Sequence, residues 1–318
     1  MMDFFINSLG LIVSLSFLIW GADKFVDYSS IIAKKLGVNE LTIGLTVVAL
    51  GTSAPEIFVG ISSVINNSES IALGAVVGSN ISNIGLIFGV SCIGIFLKPK
   101  ETPLIQFVPF ILSVIILGYS LYDLKISKLD SFLLVLVFCY FLYVIVKNRF
   151  DENTSLDTSP SDQQNYIVVF FILIGLLSLI LGSRYAVIFA EKIALMLNIS
   201  ELVIGLTIIA IGTSLPELAA TVSAVIRKKT DMVVGNVIGS NVLNITLVVP
   251  IIGVFSNVSL DNALFSRDYL IMILASIGFI TLALIYSKEQ ISIFGIKIIG
   301  FLFVTSYFMY LLFLANII

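Results

Sequence analysis

Histidine is absent from all 318 residues. That removes histidine metal ligands, histidine proton relays and histidine-based catalytic triads together. Cysteine is nearly absent: Cys92 and Cys139 stand far apart, each inside an apolar run. They read as small packing residues, because their spacing suits neither a metal site nor a disulfide framework. Charge is scarce as well, at 12% of residues against about 25% in a soluble domain. The net charge of −3 carries little information, since in a membrane chain the placement of charge matters more than its total.

Apolar residues fill the chain instead. They make up 58% of it, and the mean hydropathy is +1.12, which implies a polytopic membrane protein. A spanning helix needs roughly 20 mostly apolar residues. Ten segments meet that description, near 5–33, 39–65, 70–96, 103–122, 128–147, 165–195, 200–226, 231–256, 268–287 and 291–316. The amino terminus, MMDFFINSLG, has no basic leader. It is expected to be the edge of the first membrane helix rather than a cleaved signal. The first and sixth segments carry Asp23, Lys24 and Asp27, and Arg184, Glu191 and Lys192. Those charges are expected near an interface, solvated or snorkelling. Residues 148–164, NRFDENTSLDTSPSDQQ, are polar and without apolar periodicity. They read as a flexible cytoplasmic linker between residues 1–147 and residues 165–318.

Basic residues set the expected orientation. With the amino terminus outside, inside loops hold Lys34, Lys35, Lys98, Lys100, Lys147, Arg149, Arg227, Lys228, Lys229 and Lys288. Outside loops hold only Lys125, Lys128 and Arg267. The positive-inside rule then places both termini outside. Five helices per half is an odd number, so the second half enters the membrane inverted. Inverted repeats are a plan of secondary transporters, with substrate sites near the midplane at the repeat interface.

The repeat itself is plain. Glu40 to Gly85 aligns without a gap on Glu201 to Thr246 at a shift of 161 residues, with 22 identities in 46 pairs. Identity at that level within one chain marks an internal duplication. Both copies hold Gly-Thr-Ser-x-Pro-Glu, at Gly51 to Glu56 and Gly212 to Glu217. Both also hold Gly-Ser-Asn-x-x-Asn, at Gly78 to Asn83 and Gly239 to Asn244. Pro55 has no amide hydrogen, so the Gly51 carbonyl loses its helical partner, and Pro216 does the same to Gly212. In lipid such freed carbonyls must be satisfied again or line a polar cavity. Thr52, Ser53 and Glu56 face one break, and Thr213, Ser214 and Glu217 the other. Those ligands are all oxygens, which with two carboxylates suit hard cations such as Ca2+ and Na+. Gly74, Gly78, Gly235 and Gly239 are expected to allow close helix approach. Ser79 and Asn83 share a helical face, as do Ser240 and Asn244. Asn80 and Asn241 fall elsewhere and are expected to bond backbone or neighbouring helices.

A bland reading competes with this one. Small-residue motifs are usually packing, and a membrane-helix serine usually bonds its own backbone. For Ser79 or Ser240 alone the two readings are even. Two glutamates at matched positions beside helix breaks are different, since an ionised glutamate at the bilayer centre costs at least a few kcal/mol.

These paired motifs, the ten segments and the central linker resemble the calcium/cation antiporter family, the sodium/calcium exchangers and their prokaryotic relatives. The resemblance covers essentially the whole chain. It implies an all-α membrane protein of about ten helices in two inverted five-helix repeats. It further implies exchange of Ca2+ against Na+ by alternating access, in calcium homeostasis. By motif match Glu56 and Glu217 would be central acids shared by both ions. Thr52, Ser53, Thr213 and Ser214 would add oxygens, and Ser79 and Ser240 would complete flanking Na+ sites. Ala49 and Ala210 would contribute carbonyls there, and Asn83 and Asn244 would line the middle. Some members carry aspartate at one of these last two positions, whereas this chain has asparagine at both, leaving two formal negative charges. No cofactor and no protein or nucleic-acid partner is implied beyond the ions and the bilayer. The short linker suggests a compact prokaryotic exchanger in the cell membrane.

A Ca2+/H+ or K+-dependent antiporter on the same scaffold is the nearest alternative. The intact hydroxyl-rich flanking positions weakly favour Na+. A passive channel fits less well, because an inverted repeat supplies two equivalent conformations. An intramembrane hydrolase would need a nucleophile with a base, or a metal centre. Ser53 and Ser214 have no histidine partner.

Overall fold

A computed structural model describes residues 2–66, 69–94, 103–149, 164–197, 210–255, 260, 262–287 and 291–314. All regular structure among them is helical. The helices are α1 (Met2–Leu36), α2 (Glu40–Thr52), α3 (Ala54–Ile65), α4 (Glu69–Gly94), α5 (Leu104–Tyr122) and α6 (Lys128–Lys147). The second half holds α7 (Asn165–Met196), α8 (Ala210–Thr213), α9 (Leu215–Ile226), α10 (Thr230–Phe255), α11 (Leu264–Ile285) and α12 (Ile293–Leu314).

Eight of these are long and apolar enough to cross a bilayer, and the bent pair α2–α3 brings the number to nine. The expected segment over 200–226 lies outside the described residues up to 209. Its remainder is α8 and the apolar twelve-residue α9. Most of the expected linker, residues 150–163, also lies outside them. Its described flanks meet at one corner of the bundle. Asn39 donates its backbone N–H to the Arg149 carbonyl and its side-chain amide to the Asn148 carbonyl, while Lys35 reaches Asn165.

Burial sorts the helices. In α4 and α10, 78% and 83% of the apolar span is buried, against 22% in α1 and α12. An apolar helix that hides only a fifth of itself in protein must face lipid. The two most enclosed helices are the ones that carry the Gly-Ser-Asn motifs.

α1 and α7 form a long tight pair. A side chain on Gly21 would stand 2.5 Å from the Leu179 backbone nitrogen, and one on Gly182 would stand 2.5 Å from that of Leu18. Contact between backbones of this kind is how membrane helices gain dispersion energy when no water is there to be excluded. A second such crossing joins α2 to α10, at Gly44, Gly235 and Gly239. The expected close approach therefore holds at Gly235 and Gly239. At Gly74 and Gly78 an added Cβ meets nothing within 4 Å among the described residues. The repeat partners of α2, residues 201–209, lie outside those residues.

Ion pairs tie the pair to the rest at the end bearing Lys34 and Lys35. Arg227, just after α9, donates to Asp23 at 2.9 Å and Asp27 at 2.7 Å, both on α1. Lys229 pairs with Glu40 at the start of α2. The Asp23 and Asp27 side chains are 44% and 38% exposed. They lie on a part-exposed face of α1, each paired with Arg227.

Candidate cation site

Each half builds its motif in the same way. α2 ends at Thr52, and the chain turns 47° into α3. The joint is Ser53, with φ −84° and ψ 3°, and its counterpart Ser214 has φ −91° and ψ 4°. Pro55 and Pro216 each fall in the first turn of the helix that follows. There a missing N–H costs nothing and the fixed φ favours a fresh helix start. Glu56 and Glu217 share that first turn, where a helix amino terminus favours negative charge.

The carbonyl freed by Pro216 is that of Gly212, and Ser183 of α7 donates to it at 3.1 Å. A hydroxyl from the α1–α7 pair thus satisfies this carbonyl, which need not line a cavity. The first half has Ala22 at the position matching Ser183, so the Gly51 carbonyl has no equivalent donor there.

The acids come together from opposite halves. Ser53 Oγ donates to Glu217 Oε1 at 3.2 Å, and the charge of Glu56 acts on Glu217. Glu217 is 1% exposed. Glu56 Oε2, Glu217 Oε2 and both amide atoms of Asn244 are buried without a hydrogen-bond partner. A buried polar atom left unpaired costs roughly 1–3 kcal/mol, more if charged. The Glu56 and Glu217 Oε2 atoms and Asn244 Oδ1 are the kind of oxygen that a hard cation takes as ligand, whereas Asn244 Nδ2 is a donor that a cation does not satisfy.

Asn83 and Asn244 each open a stretch of wider π-helical turns, Asn83–Phe88 and Asn244–Val248. Turns of this kind are frequent at functional sites, because they displace a side chain and free backbone groups. Asn83 donates its amide to Asn241 Oδ1 at 3.3 Å, another bond between the halves. Asn80 instead donates to the Val76 carbonyl at 2.8 Å. Asn80 and Asn241 thus bond backbone and a neighbouring helix respectively, as expected.

The other expected residues are not placed symmetrically. Thr52 and Ser53 are wholly buried, and Ser214, Ser79 and Ser240 are buried too. Thr213 is exposed. Thr52 is covered by the tight α2–α10 crossing, where a Cβ on Gly239 would meet the Ala49 Cβ at 2.6 Å. Ala49 and Ala210 open the short helical stretches that end at Thr52 and Thr213.

Sequence reasoning missed two members of this cluster, Asn236 and Thr221. Asn236 Oδ1 lies 3.4 Å from Thr52 Oγ1 and 3.5 Å from Ser240 Oγ, and its Nδ2 donates to Thr221 Oγ1 at 3.0 Å. Matching residues across the repeat hid them, since their counterparts are Ala75 and Gly60. The four-residue spacing from Asn236 to Ser240 was the available signal, because it puts both on one helical face.

The family model for the sodium/calcium exchanger protein matches residues 6–147 and 167–316. The inner membrane protein YrbG of Escherichia coli K12 is 36% identical over 279 residues, covering 85% of this chain and 86% of that protein. The sodium/calcium exchanger MaX1 of Methanosarcina acetivorans is 32% identical over 294 residues, covering 79% of this chain and 83% of that one. Among solved structures, the sodium-calcium exchanger NCX_Mj soaked with Na+ and Sr2+ superposes with a TM-score of 0.80 at 30% identity, over 96% of this chain and 97% of that one. The chain belongs to the sodium/calcium exchanger family, whose members are integral membrane cation exchangers and not enzymes.

Proposed function

We propose that this protein exchanges Ca2+ for Na+ by alternating access. Glu56 and Glu217 are its shared ligands, and Ca2+ and Na+ its substrates. Thr52, Ser53, Thr213, Ser214, Ser79, Ser240, Asn83 and Asn244, with the Ala49 and Ala210 carbonyls, complete the ion sites. Residues 1–147 and 165–318 are the two repeats, and 148–164 is a cytoplasmic linker. The protein lies in the cell membrane with both termini outside. The observation that carries the reading is the meeting of Glu56 and Glu217 with their Oε2 atoms buried and unpartnered. A Ca2+ ion takes six to eight oxygens, and carboxylates from two separately moving halves can supply or withdraw them together.

Ca2+ uptake into proteoliposomes under a Na+, K+ or H+ gradient, imposed one at a time, tests the coupling ion. A Na+ gradient alone is expected to concentrate Ca2+. A pH gradient in vesicles free of alkali metal is expected to drive little uptake, although protons compete for the carboxylates. Saturable uptake driven by pH alone would replace Na+ with H+, and uptake that needs K+ as well would add a third ion. Passage of Ca2+ with no counter-ion gradient, at rates that never saturate, would mean a channel.

The broken helices have their own test. Pro55→Ala and Pro216→Ala restore an amide that can bond the Gly51 or Gly212 carbonyl. At Gly212 it would compete with Ser183. Both substitutions are expected to cut Ca2+ turnover several-fold while the amount of protein inserted in the membrane stays near wild type. Wild-type turnover in both would show that the joint at Ser53 and Ser214 does not need its proline.

A further inference from the structure

We propose that Arg227, Asp23 and Asp27 form an ionic latch at one end of the bundle only, so that the protein rests with that end closed. This rests on the Ca2+ exchange by alternating access proposed above, whichever ion is coupled.

The α1–α7 pair is built as one piece. Its helices touch on their backbones at Gly21 and Gly182, and a Cβ on Gly175 would stand 2.8 Å from the Phe25 nitrogen. Outside the pair, α1 touches α9 most. The twelve residues of α9 run from the joint at Ser214 to Arg227, a length of roughly 18 Å. The two ends of that contact are made differently. At one, the Arg227 guanidinium donates to Asp23 at 2.9 Å and to Asp27 at 2.7 Å. Beside it Glu40 accepts from Ser30 of α1 at 3.2 Å and pairs with Lys229. At the other, α1 and α7 face α8 and α9 across an apolar groove of about 260 Å3, with Leu11, Leu15, Ala186, Ala190, Ile211 and Leu215 in its lining. The Ser183 bond to Gly212 crosses at the edge of that groove and carries no charge.

These contacts resist motion unequally. Apolar contact is non-directional, so surfaces of that kind slide at little cost. Parting α1 from α9 at the Arg227 end must break both ion pairs, whereas parting them at the groove end need not.

The other half has no such latch. At the shift of 161 residues, which also sets Gly21 against Gly182, Arg184 and Ile188 stand for Asp23 and Asp27. Asn66 stands for Arg227, and Ser68 for Lys229. Asn66 bonds Ser62 of its own chain segment, and an arginine with an asparagine makes no ion pair. Inverted repeats with identical halves would have two conformations of equal energy, each the other turned over. A latch written once removes that balance. The favoured conformation is the one that keeps it, closed at the end bearing Lys34, Lys35 and Arg227. In the orientation proposed above, that end is inside.

The test is Ca2+-for-Ca2+ exchange, which needs no coupling ion, in right-side-out and everted membrane vesicles from a host without a Ca2+ exchanger of its own. An impermeant thiol reagent on Lys34→Cys, in a Cys139→Ser background, tells which face bears the latch. Ca2+ arriving at that face must meet the minor conformation, and its apparent affinity is reduced by the fraction populated. Arg227→Gln is expected to lower the Ca2+ concentration for half-maximal exchange at the latch face by about three- to tenfold, which two part-exposed ion pairs can supply. At the far face it should rise by no more than about twofold, because the conformation open there is already the major one. The double variant Asp23→Asn/Asp27→Asn should do the same, and adding Arg227→Gln to it should change little more. Each single aspartate variant leaves Arg227 one partner and should shift less. Arg227→Lys keeps the charge and should lie between Arg227→Gln and wild type. A residue that only supports the fold would move both faces together. Shifts of one sign at both faces, no shift at either, or a tighter far face with a weaker latch face would each overturn the latch while Ca2+ exchange stands. A wild type that exchanges no Ca2+ at either face would overturn the Ca2+ reading, and the latch with it. Should Arg227→Gln fail to reach the membrane, the double aspartate variant decides by the same comparison of faces.

Discussion

Glu56→Gln and Glu217→Gln are each expected to abolish Ca2+ exchange while leaving the protein folded and inserted. The amide has nearly the carboxylate's shape, so the bond from Ser53 Oγ to position 217 can persist. What changes is charge, and one coordinating oxygen becomes an N–H2 that repels a cation. Removing one partner of a buried charge pair costs about 3–5 kcal/mol, a factor of roughly a hundred to a few thousand in affinity. Stability supplies an independent readout. A ligand that binds only the folded state raises stability by RT ln(1 + [L]/Kd), so Ca2+ should raise the wild-type melting temperature and not that of either variant. Without Ca2+ the variants should melt no lower than wild type, because each replaces a carboxyl whose Oε2 is buried without a partner. Asp23→Asn and Asp27→Asn serve as controls. Their partner Arg227 bonds both and each is more than a third exposed, so exposed-pair energies of roughly 0–1 kcal/mol apply. Full exchange in either glutamine variant would remove the central claim.

The parts of this protein that could be read from sequence are those written twice. The joints at Ser53 and Ser214 share their dihedral angles, and α3 and α9 start and stop 161 residues apart. In lipid, a proline beside an acid in an apolar run is costly unless a helix breaks there and the acid has a partner. The broken helix and its glutamate were therefore legible in the residues alone. The oxygen chemistry followed from side-chain type. What escaped was single-copy or backbone-borne. Asn236 and Thr221 have apolar or absent counterparts, and nothing in a repeat comparison marks them. Ser183 lies on α7, outside the duplicated stretch, and only its position reveals a bond to Gly212. The π-helical turns at Asn83 and Asn244 are a property of the backbone ladder that no propensity scale records. The expected glycine packing is tested in one half only: Gly235 and Gly239 meet α2, whereas residues 201–209, the repeat partners of α2, lie outside the described residues.

Gly235→Val is expected to remove the folded protein almost completely, and Gly235→Ala to lose most of it. At this position an added Cβ would stand 2.3 Å from the Leu41 carbonyl oxygen, 2.9 Å from the Leu45 nitrogen and 3.0 Å from the Gly44 Cα. All three are backbone atoms, so no side-chain rotation can relieve the contact. Gly44 faces the same crossing from the other side, 2.5 Å from the Met232 carbonyl oxygen when a Cβ is added. The two helices would have to part along their length. Ordinary overpacking of a core costs about 1–3 kcal/mol because side chains and backbone share the adjustment, and here the backbone must take all of it. The consequence reaches the cation site, because Asn236 directly follows Gly235 and meets Thr52 across this crossing. Any Gly235→Ala protein that survives should therefore need more Na+ and Ca2+ alike. Gly278→Ala is the control. Its nearest obstacle is the Phe303 ring edge at 3.0 Å, a side chain that can swing. Yield of monodisperse protein after detergent extraction, followed by Ca2+ uptake of whatever is recovered, makes the comparison. Near-normal yield and uptake in Gly235→Val would mean that α2 and α10 do not cross on their backbones.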